Sequence, residues 1–173
     1  MRKHVTGTIF ALIITLCSAF GQGREISDYN IVWTTTQSSG SHESMPCGGG
    51  DIGLNVWVEN DEVLFYFSKS GSFDENNTFL KSGRIRLKTF PDIFREGDFS
   101  QKLNLEKGSV EIKSNGTSIE IWVDIFRPVI HMEIESPQRI RAEVCYENWR
   151  YQDRLIRKGE GNQNSYTWII PEG

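Results

Sequence analysis

Histidine is scarce in this sequence: His4, His42 and His131 are the whole supply among 173 residues. A nucleophilic triad or a histidine-rich metal centre is hard to assemble from so few imidazoles. Cysteine is equally thin. Cys17, Cys47 and Cys145 show no CxxC spacing and no neighbouring histidine, which removes the usual zinc frameworks. No apolar run approaches the roughly 20 residues that span a bilayer, so no membrane span is expected. Lysine and arginine are outnumbered, 19 against 23 acidic residues, and form no long cluster, which excludes a nucleic-acid partner that would need a basic face. Glycines occur in a run, yet not as GxxxxGKS or GxGxxG, and they lead into strand-like residues rather than a helix, so no phosphate cradle forms. Neither a cofactor nor a metal ion is expected.

What is present begins with an export signal. Arg2, Lys3 and His4 precede the apolar run Ile9 to Leu16, and Ala19 and Gly21 occupy the small-residue positions of a cleavage site. Cys17 as a lipid anchor is the competing reading, but bulky Leu16 stands where a small residue is wanted. Residues 1–21 are therefore read as a signal peptide and 22–173 as one domain, periplasmic or extracellular. Losing Arg2 and Lys3 leaves 17 basic against 23 acidic residues, a charge of −6, ordinary for a soluble exported protein. An oxidising compartment would permit a Cys47–Cys145 bridge. Whether the two meet stays open at this point, and two small semi-buried thiols are the plainer reading.

From Tyr29 on, apolar residues recur with period two and Gly, Asn, Asp and Ser punctuate them at short intervals, the pattern of an all-β, antiparallel β-sandwich. Strands are expected over Asn30 to Thr35, Gly53 to Val58, Glu62 to Ser68, Arg84 to Thr89, Gln101 to Leu105, Ser109 to Lys113, Thr117 to Phe126, Val129 to Glu135, Ile140 to Trp149 and Tyr166 to Ile170. Asn115-Gly116 between alternating segments is the strongest hairpin signal, because a type I′ turn needs positive φ twice. Glu59, Asn60 and Asp61 read as a second hairpin. Arg127-Pro128 is expected to end its strand, and the following strands to continue as a meander. Arg150 to Gln163 carries the trace of a short helix.

The stretch Ser44-Met45-Pro46-Cys47-Gly48-Gly49-Gly50-Asp51-Ile52-Gly53 is the most unusual in the chain. Successive glycines mark a hard turn or a close approach. His42 and Glu43 precede this loop, and Lys69 opens a long polar excursion through Asp74, Glu75 and Asn76, so these two loops supply the candidate ligand- or domain-facing residues: His42, Glu43, Gly48, Gly49, Gly50, Asp51, Lys69, Asp74, Glu75 and Asn76. No catalytic residue is assigned. Asp74 and Glu75 are sequence neighbours, whereas glycosidase carboxyls face each other across about 5 to 9.5 Å. Asp74, Asn76 and Thr78 match no cation-loop spacing. Tryptophans offer faces for sugar stacking, but alternation assigns Trp57 and Trp122 to packing. His131 alternates with apolar residues and reads as a half-buried strand residue.

Ser44 to Val58, Leu64 to Lys69, Asp74-Glu75-Asn76, Leu80 to Leu87 and Pro128 to Glu135 together resemble the uncharacterised domain family 5703, an N-terminal domain of large exported bacterial proteins. The Pro-x-Gly-x-Gly-x-x-Gly pattern is also similar to the head of family 95 glycoside hydrolases, the 1,2-α-L-fucosidases. The resemblance implies a β-supersandwich, followed in the complete protein by an (α/α)6 helical barrel that holds the catalytic carboxylates. Gly49 departs from the related Gly-Asn-Gly pattern. The expectation is thus a non-catalytic N-terminal domain of a glycoside hydrolase, truncated before its barrel, inactive alone and docking on that C-terminal barrel at the rim of its active site, with an apolar docking face. The alternative is a free-standing carbohydrate-binding module whose glycan platform is Trp33 and Tyr66.

Overall fold

The computed structural model describes residues 23–36, 40–73, 79–95, 97–148 and 151. Within them the period of two becomes ten strands: β1 (Ile31–Trp33), β2 (Met45–Gly49), β3 (Ile52–Glu59), β4 (Glu62–Lys69), β5 (Gly83–Phe90), β6 (Phe99–Asn104), β7 (Ser109–Ser114), β8 (Thr117–Val123), β9 (Ile130–Glu135) and β10 (Arg141–Glu147). They form two five-stranded antiparallel sheets, ordered β1-β6-β7-β8-β9 and β10-β5-β4-β3-β2. The expected all-β sandwich is what the chain adopts. Both hairpins are present with left-handed turn residues, Asn60 (φ 51°) and Asp61 (φ 62°) in one, Asn115 (φ 48°) and Gly116 (φ 75°) in the other.

Alternation decides which side chains enter the core. Val56, Val58 and Phe65 from one sheet meet Val110, Ile119 and Ile121 from the other, all essentially buried, each worth about 1.5–3 kcal/mol relative to exposure. Buried Gln101 reaches between the sheets, its Nε2 donating to the Val56 carbonyl at 3.1 Å. On the outer face of the β3–β4 pair, Trp57 is nonetheless only 1% exposed. Its indole N–H donates to Glu59 Oε2 at 3.0 Å, the Tyr66 ring stands 4.9 Å away, and the 3-10 turn Gly40–Glu43 packs on β3.

Three expectations are corrected. Met45–Gly49 is a strand, paired to β3 at the sheet edge. Glycine and Pro46 lower its strand propensity, and an edge position tolerates Pro46, which has no N–H to give the ladder. The strand before Arg127-Pro128 stops at Val123, because Asp124 turns the chain before proline can. Arg141–Glu147 does not continue the β8–β9 meander but crosses to the other sheet and pairs with β5. There Glu147 accepts from both Arg84 and Arg86, and the Tyr146 hydroxyl donates to the Ser82 carbonyl at 2.9 Å.

The cysteines occupy opposite edges of one sheet, Cys47 on β2 and Cys145 on β10. Four strand spacings of about 4.8 Å separate them, far beyond the roughly 7 Å limit between the Cα atoms of a disulfide, and both are free. Burial pushes the Cys47 thiol up to about 11, while Cys145 is exposed. At neutral pH, a thiol reagent is therefore expected to modify Cys145 promptly and Cys47 only in denaturant; equal reactivity of both in the native protein would contradict this. The expected signal peptide, Arg150 to Gln163 apart from Tyr151, and the run Tyr166 to Ile170 lie outside the described residues. Among those described, no helix is long and apolar enough to cross a membrane.

Candidate functional site

Gly48 and Gly49 end β2, Gly50 and Asp51 turn the chain into β3, and the three glycines answer to different constraints. A Cβ on Gly48 would stand 2.6 Å from the Ile52 carbonyl oxygen across the hairpin. One on Gly49 would stand 2.7 Å from the Val123 carbonyl oxygen and 3.2 Å from Ile125 Cγ2, so the loop lies directly against the end of β8 in the opposite sheet. Gly50 has φ +58° and also faces the Ile125 carbonyl, a backbone conformation that side chains other than glycine, Asn and Asp rarely take. The close approach expected of these glycines is thus made within the domain.

What they approach is a turn with its own organiser. Asp124 Oδ1 accepts the backbone N–H groups of Phe126 (2.8 Å) and Arg127 (3.2 Å), and Oδ2 takes the Arg127 guanidinium at 2.6 and 2.7 Å. The Asp124 N–H donates to the Val129 carbonyl at 3.0 Å and closes the loop. This Asx-type turn projects Ile125 (64% exposed) and Phe126 (89% exposed) into solvent beside Gly50. The Phe126 N–H and the Arg127 guanidinium hold the Asp124 carboxyl below the usual aspartate range. A depressed value means that the turn has its full stabilisation above the ordinary aspartate pKa of about 3.9 and loses it as pH falls through the lower folded value. The protection factor at Phe126, taken against intrinsic exchange at each pH, is expected to fall as the Asp124 carboxylate is protonated and to show no such acid step in Asp124→Asn; protection that survives full protonation of that carboxylate would contradict the assignment.

On the other side of the glycine loop, Lys69 Nζ pairs with Asp51 Oδ2 at 3.4 Å and the Ser70 N–H donates to the Asp51 carbonyl at 2.7 Å. The structure therefore joins the two loops singled out in the sequence. Asp74, Glu75 and Asn76 lie outside the described residues, between Phe73 and Phe79, which form an isolated bridge with rings 5.5 Å apart. A cleft of about 370 Å³ opens beside Asp51, over the outer face of β2, β3 and β4 and below Phe79 and Lys81. The Lys81 ammonium sits over the Tyr66 ring, 4.2 Å from its centroid.

His42 and Glu43 are not brought to this loop. They are exposed on the 3-10 turn at the other end of β2, which at ~3.4 Å per residue puts them more than about 15 Å from Gly49. Trp33 and Tyr66 do not form a platform, for Trp33 packs on the core from β1 while Tyr66 lies on the outer face of β4 in the other sheet. His131 stacks flat on Trp122, 3.9 Å between ring centroids, on the outer face of the β8–β9 pair. Among the described residues no three His, Cys, Asp or Glu side chains converge as a metal site.

Asp124, Ile125 and Phe126 were not among the sequence candidates, since the alternation of β8 runs through them. The available signal was aspartate followed at once by Ile-Phe-Arg-Pro, an Asx-turn residue ahead of a proline. No curated protein and no solved structure matches this chain. Residues 32–173 match the family model of the N-terminal domain of DUF5703, described as a domain of unknown function, and the chain belongs to that family.

Proposed function

We propose that this is the non-catalytic N-terminal β-sandwich of an exported glycoside hydrolase, docking on a C-terminal helical barrel. The Gly48–Asp51 loop and the excursion beginning at Lys69 face that partner near the rim of its active site. The observation that carries the reading is the Ile125–Phe126 projection: two large apolar side chains held in solvent by a turn that Asp124 fixes on four sides. An exposed phenylalanine on a preorganised turn loses little entropy on binding and makes a natural anchor. The resemblance of the sequence to the heads of barrel-bearing hydrolases supplies the partner.

The test is the affinity of this domain for the separately produced C-terminal barrel. Phe126→Ala is expected to weaken it by about 2 kcal/mol, roughly thirtyfold, the size of an interface hot spot, with no change in Tm, because the side chain contributes little to the core. Equal affinity of the variant and the parent protein would refute the anchor.

A further inference from the structure

Of the glycines in the central stretch, Gly53 is the one that the fold does not require. It lies within β3, paired on one side with Gly48 and on the other with Ser68. Its φ is outside the left-handed region, and a Cβ built on it meets nothing within 4 Å among the described residues. Glycine inside a strand weakens it and marks a place where something else comes close to the backbone. Gly53 forms part of the lining of the 370 Å³ cleft, a volume at the lower end of the ~300–1,000 Å³ usual for small-molecule sites.

We propose that this cleft is a binding site for a single neutral saccharide ring, seated on Gly53. The lining offers both donors and acceptors: the Asn55 amide and the Ser68 and Ser70 hydroxyls have no side-chain partner among the described residues. Asp51 is paired with Lys69, and the Lys81 ammonium lies over the Tyr66 ring. Phe79, 54% exposed, gives one apolar wall for the C–H face of a ring. A phosphorylated ligand finds no helix N-terminus among the described lining residues. A wholly apolar ligand would leave the amide, hydroxyls and carboxylate without partners. Asp51 and Ser70 of its lining belong to the loops that the docking reading turns toward the barrel, whereas Phe126 is not in the lining, so a change at Phe126 separates the test of this site from that of docking.

The test uses isotope-labelled protein and the methyl glycosides of glucose, galactose, mannose and fucose, each titrated to tens of millimolar while amide shifts are followed. Binding of at least one is expected to move the amides of Gly53, Asn55, Ser68 and Ser70. Gly53→Val fills the floor without backbone strain, so it should keep or raise the Tm and abolish the shifts; Asn55→Ala should weaken them with the fold intact. Phe126→Ala should leave them unchanged. The proposal is overturned by the absence of localised shifts with all four glycosides, by shifts that survive in Gly53→Val or are unaffected in Asn55→Ala, or by an unfolded Gly53→Val, which would return the glycine to the fold.

Discussion

Trp57→Ala is expected to destabilise the domain by about 3–5 kcal/mol, the usual range for truncating a buried tryptophan. Trp57 is on the outer side of its sheet, where an indole would ordinarily be half wet and its removal cheap. It is buried because Tyr66 flanks it and the Gly40–Glu43 turn packs on its strand. Truncation would also leave the Glu59 carboxylate, now 3.0 Å from the indole nitrogen, without that donor. Chemical denaturation measures the loss directly. Trp122→Ala is the comparison, since Trp122 is only partly buried against His131 and should cost less. A loss below about 1 kcal/mol for Trp57→Ala, the level of an average substitution, would mean that the outer face is not closed over the indole.

Gly49→Val is expected to cost about 3 kcal/mol, the upper end for overpacking a close contact. The reason is what the new Cβ would meet: the Val123 carbonyl oxygen at 2.7 Å. A flexible side chain could rotate away, but a strand carbonyl must take the end of β8 with it. The displacement would also disturb Asp124 and the Phe126 turn, so amide protection at Phe126 should fall along with stability. Gly53→Val, four residues on, adds the same side chain where nothing among the described residues opposes it and should be neutral or stabilising. Thermal or denaturant unfolding of the two variants side by side separates a glycine kept for internal packing from one kept for open space. Similar losses in both would contradict the distinction.

Much of this fold is legible from residues alone. Alternation of Ile119, Ile121 and Val123 against Glu120 and Trp122 fixes the faces of β8, and Asn115-Gly116 names its own turn type. The Asn60-Asp61 hairpin is visible for the same reason. Three features are hidden because they depend on pairing rather than local pattern. Met45–Gly49 is a strand only because β3 lies beside it, for its glycines and proline argue otherwise. The crossing of Arg141–Glu147 to β5 is set by partners such as Arg84 and Arg86, which are more than fifty residues away in the chain. The glycine run announces a close approach but not to what, and the answer, the Val123–Ile125 backbone, belongs to the other sheet. Of the candidate residues, Asp51 and Lys69 meet, whereas His42 and Glu43, adjacent in sequence to the loop, are carried away by the length of β2. Phe126 escaped notice because the apolar alternation continues through its neighbour Ile125, and only Asp124 ahead of the pair signals a turn.

The proposed docking edge admits one direct measurement: hydrogen exchange of this domain alone and with the C-terminal barrel proposed as its partner. Added protection at Gly49 to Asp51 and at Asp124 to Val129, with the outer face of β8 and β9 unchanged, is the expected result. Protection confined to the Trp122–His131 face, with none at the Phe126 turn, would contradict the account.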